Sequence, residues 1–239
     1  MSCSSTWVRL AVLTTAFSLH PASIPAAKAQ DEADTKSVPM AVPEELANKG
    51  RVLYVQPSEG PQVTFTSSTP AEKFKGVSAK LVGFVVSPEG DDALPVEFAG
   101  GEFRLPVVSL DTGNAGMNDH MRAPRWFDAT TYPEIVFKLS EVKNAKLIKK
   151  RDDSRLYVAD LKGAMTILKA SEDLTVKAKI TIETAEGGDG AMTIKCQFKV
   201  TLADFGMGID DPGVTSGKIA KRMKIDVNLT LAPTPPSAP

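Results

Sequence analysis

Cysteine, histidine, tryptophan and tyrosine are scarce in this chain: two, two, two and three in 239 residues. Each shortage removes a class of function. Beyond the N-terminal segment one histidine and one cysteine remain, His120 and Cys196. They cannot supply the four nitrogen or sulfur ligands of a structural zinc, so no metal site is expected. A lone thiol closes no disulfide within the chain, and Cys196 sits in an alternating run where a buried apolar filler fits best. So few Tyr and Trp cannot build the two aromatic girdles of a membrane barrel. Neither sign of charge dominates, with 28 basic against 29 acidic residues, so nucleic acid is not an expected partner. Past the N-terminal segment no run is apolar enough to cross a bilayer. There is no second Asp-Thr-Gly, so Asp111-Thr112-Gly113 is not half of an aspartic-protease dyad. No nucleophile elbow surrounds a serine. No helix is expected directly after Gly206-Met207-Gly208, which therefore reads as a turn rather than a phosphate cradle. The pairs Asp152-Asp153 and Asp210-Asp211 lack the repeated spacing of a calcium loop. No cofactor motif remains, and none is assigned.

The N-terminus reads as a secretory signal over residues 1–29. Arg9 precedes a short apolar run from Leu10 to Leu19, and Ala27-Lys28-Ala29 offers a cleavage site near Ala29. The expected location is periplasmic or secreted. Cleavage would remove Arg9, Lys28 and no acidic residue, taking the net charge from −1 to −3. Residues 30–50, with Asp31, Glu32, Asp34, Pro39 and Pro43, show no periodicity and read as a flexible linker. Residues 233–239 form a Pro-rich tail that cannot join a ladder. One folded domain is expected over 51–232.

What is abundant is period-two alternation. Leu174, Val176, Ala178, Ile180 and Ile182 alternate with Thr and Lys. So do Met192, Ile194, Cys196, Phe198, Val200 and Leu202, and again Met223, Ile225, Val227, Leu229 and Leu231. Each run has one apolar and one wet face, as a half-buried antiparallel strand requires. Glu186-Gly187-Gly188-Asp189-Gly190 joins two of them as a hairpin. Less regular strands are expected at Arg51–Gln56, Gln62–Thr66, Gly76–Ser87, Glu102–Leu110, Glu134–Val142 and Arg155–Leu168, with a bulge or bend at Gly163. The class is all-β and antiparallel, with about eight strands and one or two short helices. Several strands run long, which favours a closed barrel over a sandwich because closure leaves no free edge.

One block breaks the pattern. Ser109-Leu110-Asp111-Thr112-Gly113 leads to a short polar helix at Asn118-Asp119-His120-Met121-Arg122, then Trp126-Phe127-Asp128 and Tyr132-Pro133-Glu134-Ile135-Val136-Phe137. A lone polar helix among strands is either a plug or a head-group contact. Arg122 is suited to a phosphate or carbonyl and His120 can donate to it, whereas Asp119 and His120, adjacent on a helix, do not face each other. The other reading is that the helix caps one barrel end and His120 bonds to backbone.

This block resembles the YceI-like family of periplasmic lipid-binding proteins. Gly163-Ala164-Met165-Thr166-Ile167 is similar to that family's Gly-Asp-Leu-Thr-Ile, and Ala203-Asp204-Phe205-Gly206-Met207 to its Ser-Asp-Phe-Gly-Met turn. The likeness runs in order from about Arg51 to Leu231. It departs at polar positions: Asn118-Asp119 stands for Arg-Asp, Leu168-Lys169 for His-Gly, and Ala170-Ser171-Glu172-Asp173 has lost a Thr-Arg/Lys-Pro. The resemblance implies a lipocalin-like barrel that takes a polyprenyl phosphate or isoprenoid quinone. Asp119, His120 and Arg122 would then face the head group. The tail would lie along Phe127, Phe137, Met165, Ile167, Val176, Ile180, Ile194, Phe198 and Phe205. Independently, a barrel of about eight strands lined by aliphatic residues either packs solid or holds one small apolar ligand. The expectation is a binding protein rather than an enzyme, its partner a long apolar ligand, with a homodimer over the mouth as a further option. Two alternatives stand: an enzyme using His120 as general base, or a ligand-free structural barrel closed by Phe65, Phe98, Phe137 and Phe198.

Overall fold

A computed structural model describes residues 40–89, 94–185 and 188–236. The expected signal, the first ten residues of the expected linker, two residues of the glycine-rich hairpin and the last three residues of the tail lie outside these. Among the described residues there are ten strands: β1 (Arg51–Val55), β2 (Val63–Ser68), β3 (Lys73–Ser78), β4 (Val82–Ser87), β5 (Gly100–Pro106), β6 (Glu134–Lys150), β7 (Ser154–Ile167), β8 (Ala170–Ala185), β9 (Gly188–Thr201) and β10 (Arg222–Ala232). Their order is β1-β4-β5-β6-β7-β8-β9-β10-β2-β3, and β1 also pairs with β10.

The ten strands make eight staves. β10 runs past β2 with Val63 opposite Val227, and past β1 with Val55 opposite Leu231. β1 and β2 are therefore one stave with a loop in its middle. β3 pairs with β2 and β4 with β1, so these two form the next stave, broken at residues 79–81. Every pairing is antiparallel, and the sheet closes on itself. The continuous strand expected over Gly76–Ser87 is thus divided.

Gln62 accounts for the break. It is 2% exposed, and its side chain donates from Nε2 to the Gln56 carbonyl (3.1 Å) and accepts at Oε1 from the Leu81 N–H (2.8 Å). One buried amide thereby satisfies backbone groups in both interrupted staves, as a buried polar group must. The loops bulge outward and the ladder resumes through Gln56 N–H to the Thr230 carbonyl and Asn228 N–H to the Gln62 carbonyl, both 2.8 Å.

β7 buries every second residue from Tyr157 to Ile167, so its alternation follows the sequence pattern. Gly163 lies in this regular strand, and the irregularity falls on β6, where the register shifts between Leu139 and Glu141. A Cβ at Gly163 would sit 2.3 Å from the Lys138 carbonyl oxygen and 2.7 Å from the Phe137 ring, so the glycine lets β6 and that ring come close.

Three short helices accompany the barrel: α1 (Glu44–Ala47), α2 (Ala115–Arg122) and α3 (Pro212–Thr215), with 3-10 turns at Val107–Ser109 and Leu202–Phe205. α1 falls inside the segment expected to be a linker. Its Leu46 lies over Gly100, where a Cβ would meet the leucine at 2.9 Å. Beside it, Val96 and Phe98 of the β4–β5 connection join Leu53, Val85, Ile180, Ile182, Met192 and Leu231 in one buried cluster that fills this end of the barrel. Full burial of each such side chain contributes about 1.5–3 kcal/mol.

Candidate functional site

The opposite end is hollow. Here β2 and β3 turn back, β5, β7 and β9 end, and β6, β8 and β10 begin. A cavity of about 590 Å³ opens within it. That is the size range of small-ligand sites, about 300–1,000 Å³. Phe65, Ile135, Phe137, Phe198 and Ile225 line the cavity and are only half-buried although they point into the barrel, because empty space stands in front of them. Its walls are otherwise mostly apolar side chains, including Leu105, Phe127, Met165, Ile167, Val176 and Val200. Such a lining strips water from a ligand and makes no directional demand on it.

Polar groups gather at the mouth. Thr112, Asn114, Gly116, Met117, His120 and Met121 edge the cavity from the α2 side, and Glu72, Gly213 and Lys218 from other connections. Residues 116, 117, 120 and 121 are spaced three and four apart, so they share one face of α2, and that face is laid across the opening. Local chemistry fixes the helix there. The Asn114 side chain accepts from Met117 N–H as the N-cap (3.0 Å). Asn118 accepts at Oδ1 from Thr112 N–H (2.9 Å) and the Thr112 hydroxyl (2.7 Å), and donates from Nδ2 to Asp111 (2.8 Å). Asp111 also accepts from Gly113 N–H at 2.8 Å. The Asn118 bond first, and the Gly113 N–H second, hold its carboxyl below the usual aspartate range. Asp-Thr-Gly is here the turn that launches a helix. An antiparallel bridge between Val77 and Asp111 secures the turn to β3.

The far side of α2 is latched to the β9–β10 connection. Asp211 is 4% exposed and caps α3, accepting at Oδ1 from Gly213 N–H (2.7 Å) and Val214 N–H (3.3 Å). Its Oδ2 accepts from Trp126 Nε1 (3.3 Å) and lies 3.7 Å from His120 Nε2. The His120 and Trp126 rings stand 5.9 Å apart. Trp126 is the second wall of this latch and also lines the cavity. Neither Trp126 nor Asp211 stands out as a site residue in the sequence. The available signal was an Asp-Pro helix start preceded by Gly208, a left-handed residue at φ 64°.

The three polar residues singled out on α2 take separate places. His120 edges the cavity and is largely exposed. Arg122 turns the other way and donates from Nη2 to the carbonyls of Val108 (2.8 Å) and Leu110 (3.4 Å), which fastens the 3-10 turn beneath the helix. Asp119 is exposed and off the cavity wall, and its carbonyl accepts from Ala123 N–H (3.1 Å). Of the nine residues expected along the tail, Phe127, Phe137, Met165, Ile167, Val176, Ile194 and Phe198 line the cavity. Ile180 packs in the filled end and Phe205 in the cluster around the mouth. Phe65, Phe137 and Phe198 surround the hollow rather than closing it, while Phe98 belongs to the filled end.

Cys196 also lines the cavity. Burial, and then the negative charge of Asp226, push its thiol up to about 12, which keeps it neutral and unreactive. Among the described residues no three His, Cys, Asp or Glu side chains converge on a metal position.

Solved structures share this architecture. BcnA of Burkholderia cenocepacia superposes with a TM-score of 0.55 at 23% identity, covering 70% of this chain and 94% of that one. A polyisoprenoid-binding domain from Saccharophagus degradans, implicated in plant cell wall breakdown, also gives 0.55, at 11% identity over 77% of this chain and 99% of that one. No curated protein matches the sequence. The family model for the YceI-like domain matches residues 54–231, nearly the whole barrel from β1 to β10, and the chain belongs to that family.

Proposed function

We propose that the protein is an exported carrier of an isoprenoid-type lipid, a polyprenyl phosphate or an isoprenoid quinone. The tail lies in the cavity and the head group emerges beside His120. The observation that carries the reading is the hollow apolar mouth half of an otherwise packed barrel. Family membership and the polyisoprenoid-binding neighbour support it, and the signal-like N-terminus supports export. The energetics are adequate. Burying a five-carbon unit yields about 4 kcal/mol, so four units give roughly 16 kcal/mol. A cost of roughly 8 kcal/mol for association and ordering leaves roughly 8 kcal/mol, which corresponds to micromolar binding. Among the described residues at the mouth no nucleophile is paired with a base, which favours holding over turnover.

Native mass spectrometry of the purified protein, with thermal melts in the presence of a polyprenyl phosphate or a quinone, tests this. The expected result is a co-purifying lipid mass or a melting temperature that rises with added lipid. In Ile225→Trp, whose ring would fill the hollow, the rise should vanish while the fold persists. Ligand-free protein whose melting temperature ignores both lipids overturns the proposal.

A further inference from the structure

The outward face of the sheet beside the mouth is strongly basic in a chain that as a whole carries 28 basic and 29 acidic residues. Lys199 of β9 lies directly opposite Lys224 of β10, which lies opposite Thr66 of β2, which lies opposite Lys75 of β3. Toward the rim, Arg222 is opposite Thr201 and Lys73 opposite Ser68. With Lys221 these residues line an open cleft that holds six basic side chains, and no acidic residue is among its described lining. Among the described residues, Asp226 pairs with one of them, 3.2 Å from Lys224. Like charges directly opposite on neighbouring strands destabilise a sheet. Lys199 and Lys224 are such a pair, and an anionic partner relieves their repulsion.

The position of the cleft says which partner. Phe74 and Ile219 line both the cleft and the cavity, so the basic face and the lipid hollow share a wall. At the same end, the exposed apolar side chains Val108 and Ile209 project from the connections. A soluble polyanion would use the charges and leave these two side chains in water. A bilayer uses both, with charges at the head groups and apolar tips below them.

We propose that this face docks the protein onto the surface of an anionic phospholipid bilayer, with the cavity mouth turned toward the lipids. The docking role rests on the carrier reading. The negative surface of such a membrane attracts basic residues within about one Debye length, roughly 10 Å at 0.1 M salt. Each basic residue contributes a factor of roughly five to binding.

Flotation of the full chain with phosphatidylcholine vesicles, and with vesicles containing about one third phosphatidylglycerol, tests it. Binding is expected to the anionic vesicles alone, although the chain as a whole is weakly acidic, and to disappear between about 0.05 and about 0.5 M salt. The variant K75Q/K199Q/K224Q should bind about 100-fold more weakly. K149Q, at the far end of β6, should bind as the parent does. Equal binding to both vesicle types, full binding by the triple variant, or capture by heparin without capture by anionic vesicles overturns the proposal. Melts with a soluble short-chain prenyl phosphate, run on the parent and the triple variant, separate the two readings. A shift retained in both without vesicle discrimination sinks docking and leaves the carrier. No shift in either sinks the carrier.

Discussion

At the filled end of the barrel Ile180, Ile182, Val85 and Leu231 have no exposed surface, whereas at the mouth Ile135, Phe198 and Ile225 face open space. Ile180 and Ile182 at one end and Phe198 and Ile225 at the other come from the same kind of alternating strand. The difference lies in what the connections bring. One end receives Val96 and Phe98 from the β4–β5 connection and is covered by Leu46 against Gly100. The other receives α2, a helix laid across the opening with one fully buried side chain, Met121. Alternation decides which side chains point inward. Whether the interior is solid depends on the segments that enter it, and those carry no periodic signal.

Paired substitutions should separate the two ends. Ile180→Ala leaves a void among close-packed neighbours and should cost about 2–5 kcal/mol in chemical denaturation. Ile225→Ala enlarges a hollow that already exists and should cost about 1 kcal/mol or less, because less contact is lost. Equal costs would mean that the mouth is packed in solution.

The latch should respond on a smaller scale. Asp211→Ala removes the α3 cap together with the acceptor for Trp126, and should cost about 1–2 kcal/mol. It should also change Trp126 fluorescence and speed lipid release, whereas Ile180→Ala should leave release untouched. The smallest effect concerns Cys196. With its folded thiol near 12, alkylating reagents at mild alkaline pH should label the unfolded protein and spare the folded one. The unfolded thiol ionises at lower pH, about 8.5, so this group's contribution to stability is complete below that value. It declines as pH rises toward 12. Cys196→Ala should flatten that part of the stability–pH curve.

The long strands β8 to β10 were legible because each shows a long alternating apolar run, and β7 only in part, since Gly163 reads as a break that the strand does not have. The separation of β1 from β2 was legible too, whereas the break between β3 and β4 was not, since it is held by a buried glutamine whose partners, Gln56 and Leu81, come from separate segments. At the site, the His120 position could be read and the Arg122 direction could have been. Two residues along a helix turn by roughly 200°, so a helix that shows position 120 to the cavity must turn 122 away. The Asp211–Trp126 bond joins residues 85 positions apart, and no local pattern announces such a pair.

The way β10 is shared has a kinetic consequence. It binds β9 along one edge and both β1 and β2 along the other, so the final seam joins segments from the two ends of the domain. Contacts of such high sequence separation form slowly. Until they do, the nascent ribbon exposes two raw edges and an unwrapped greasy face, so the interval before closure, rather than the mature state, is when self-association is most favoured.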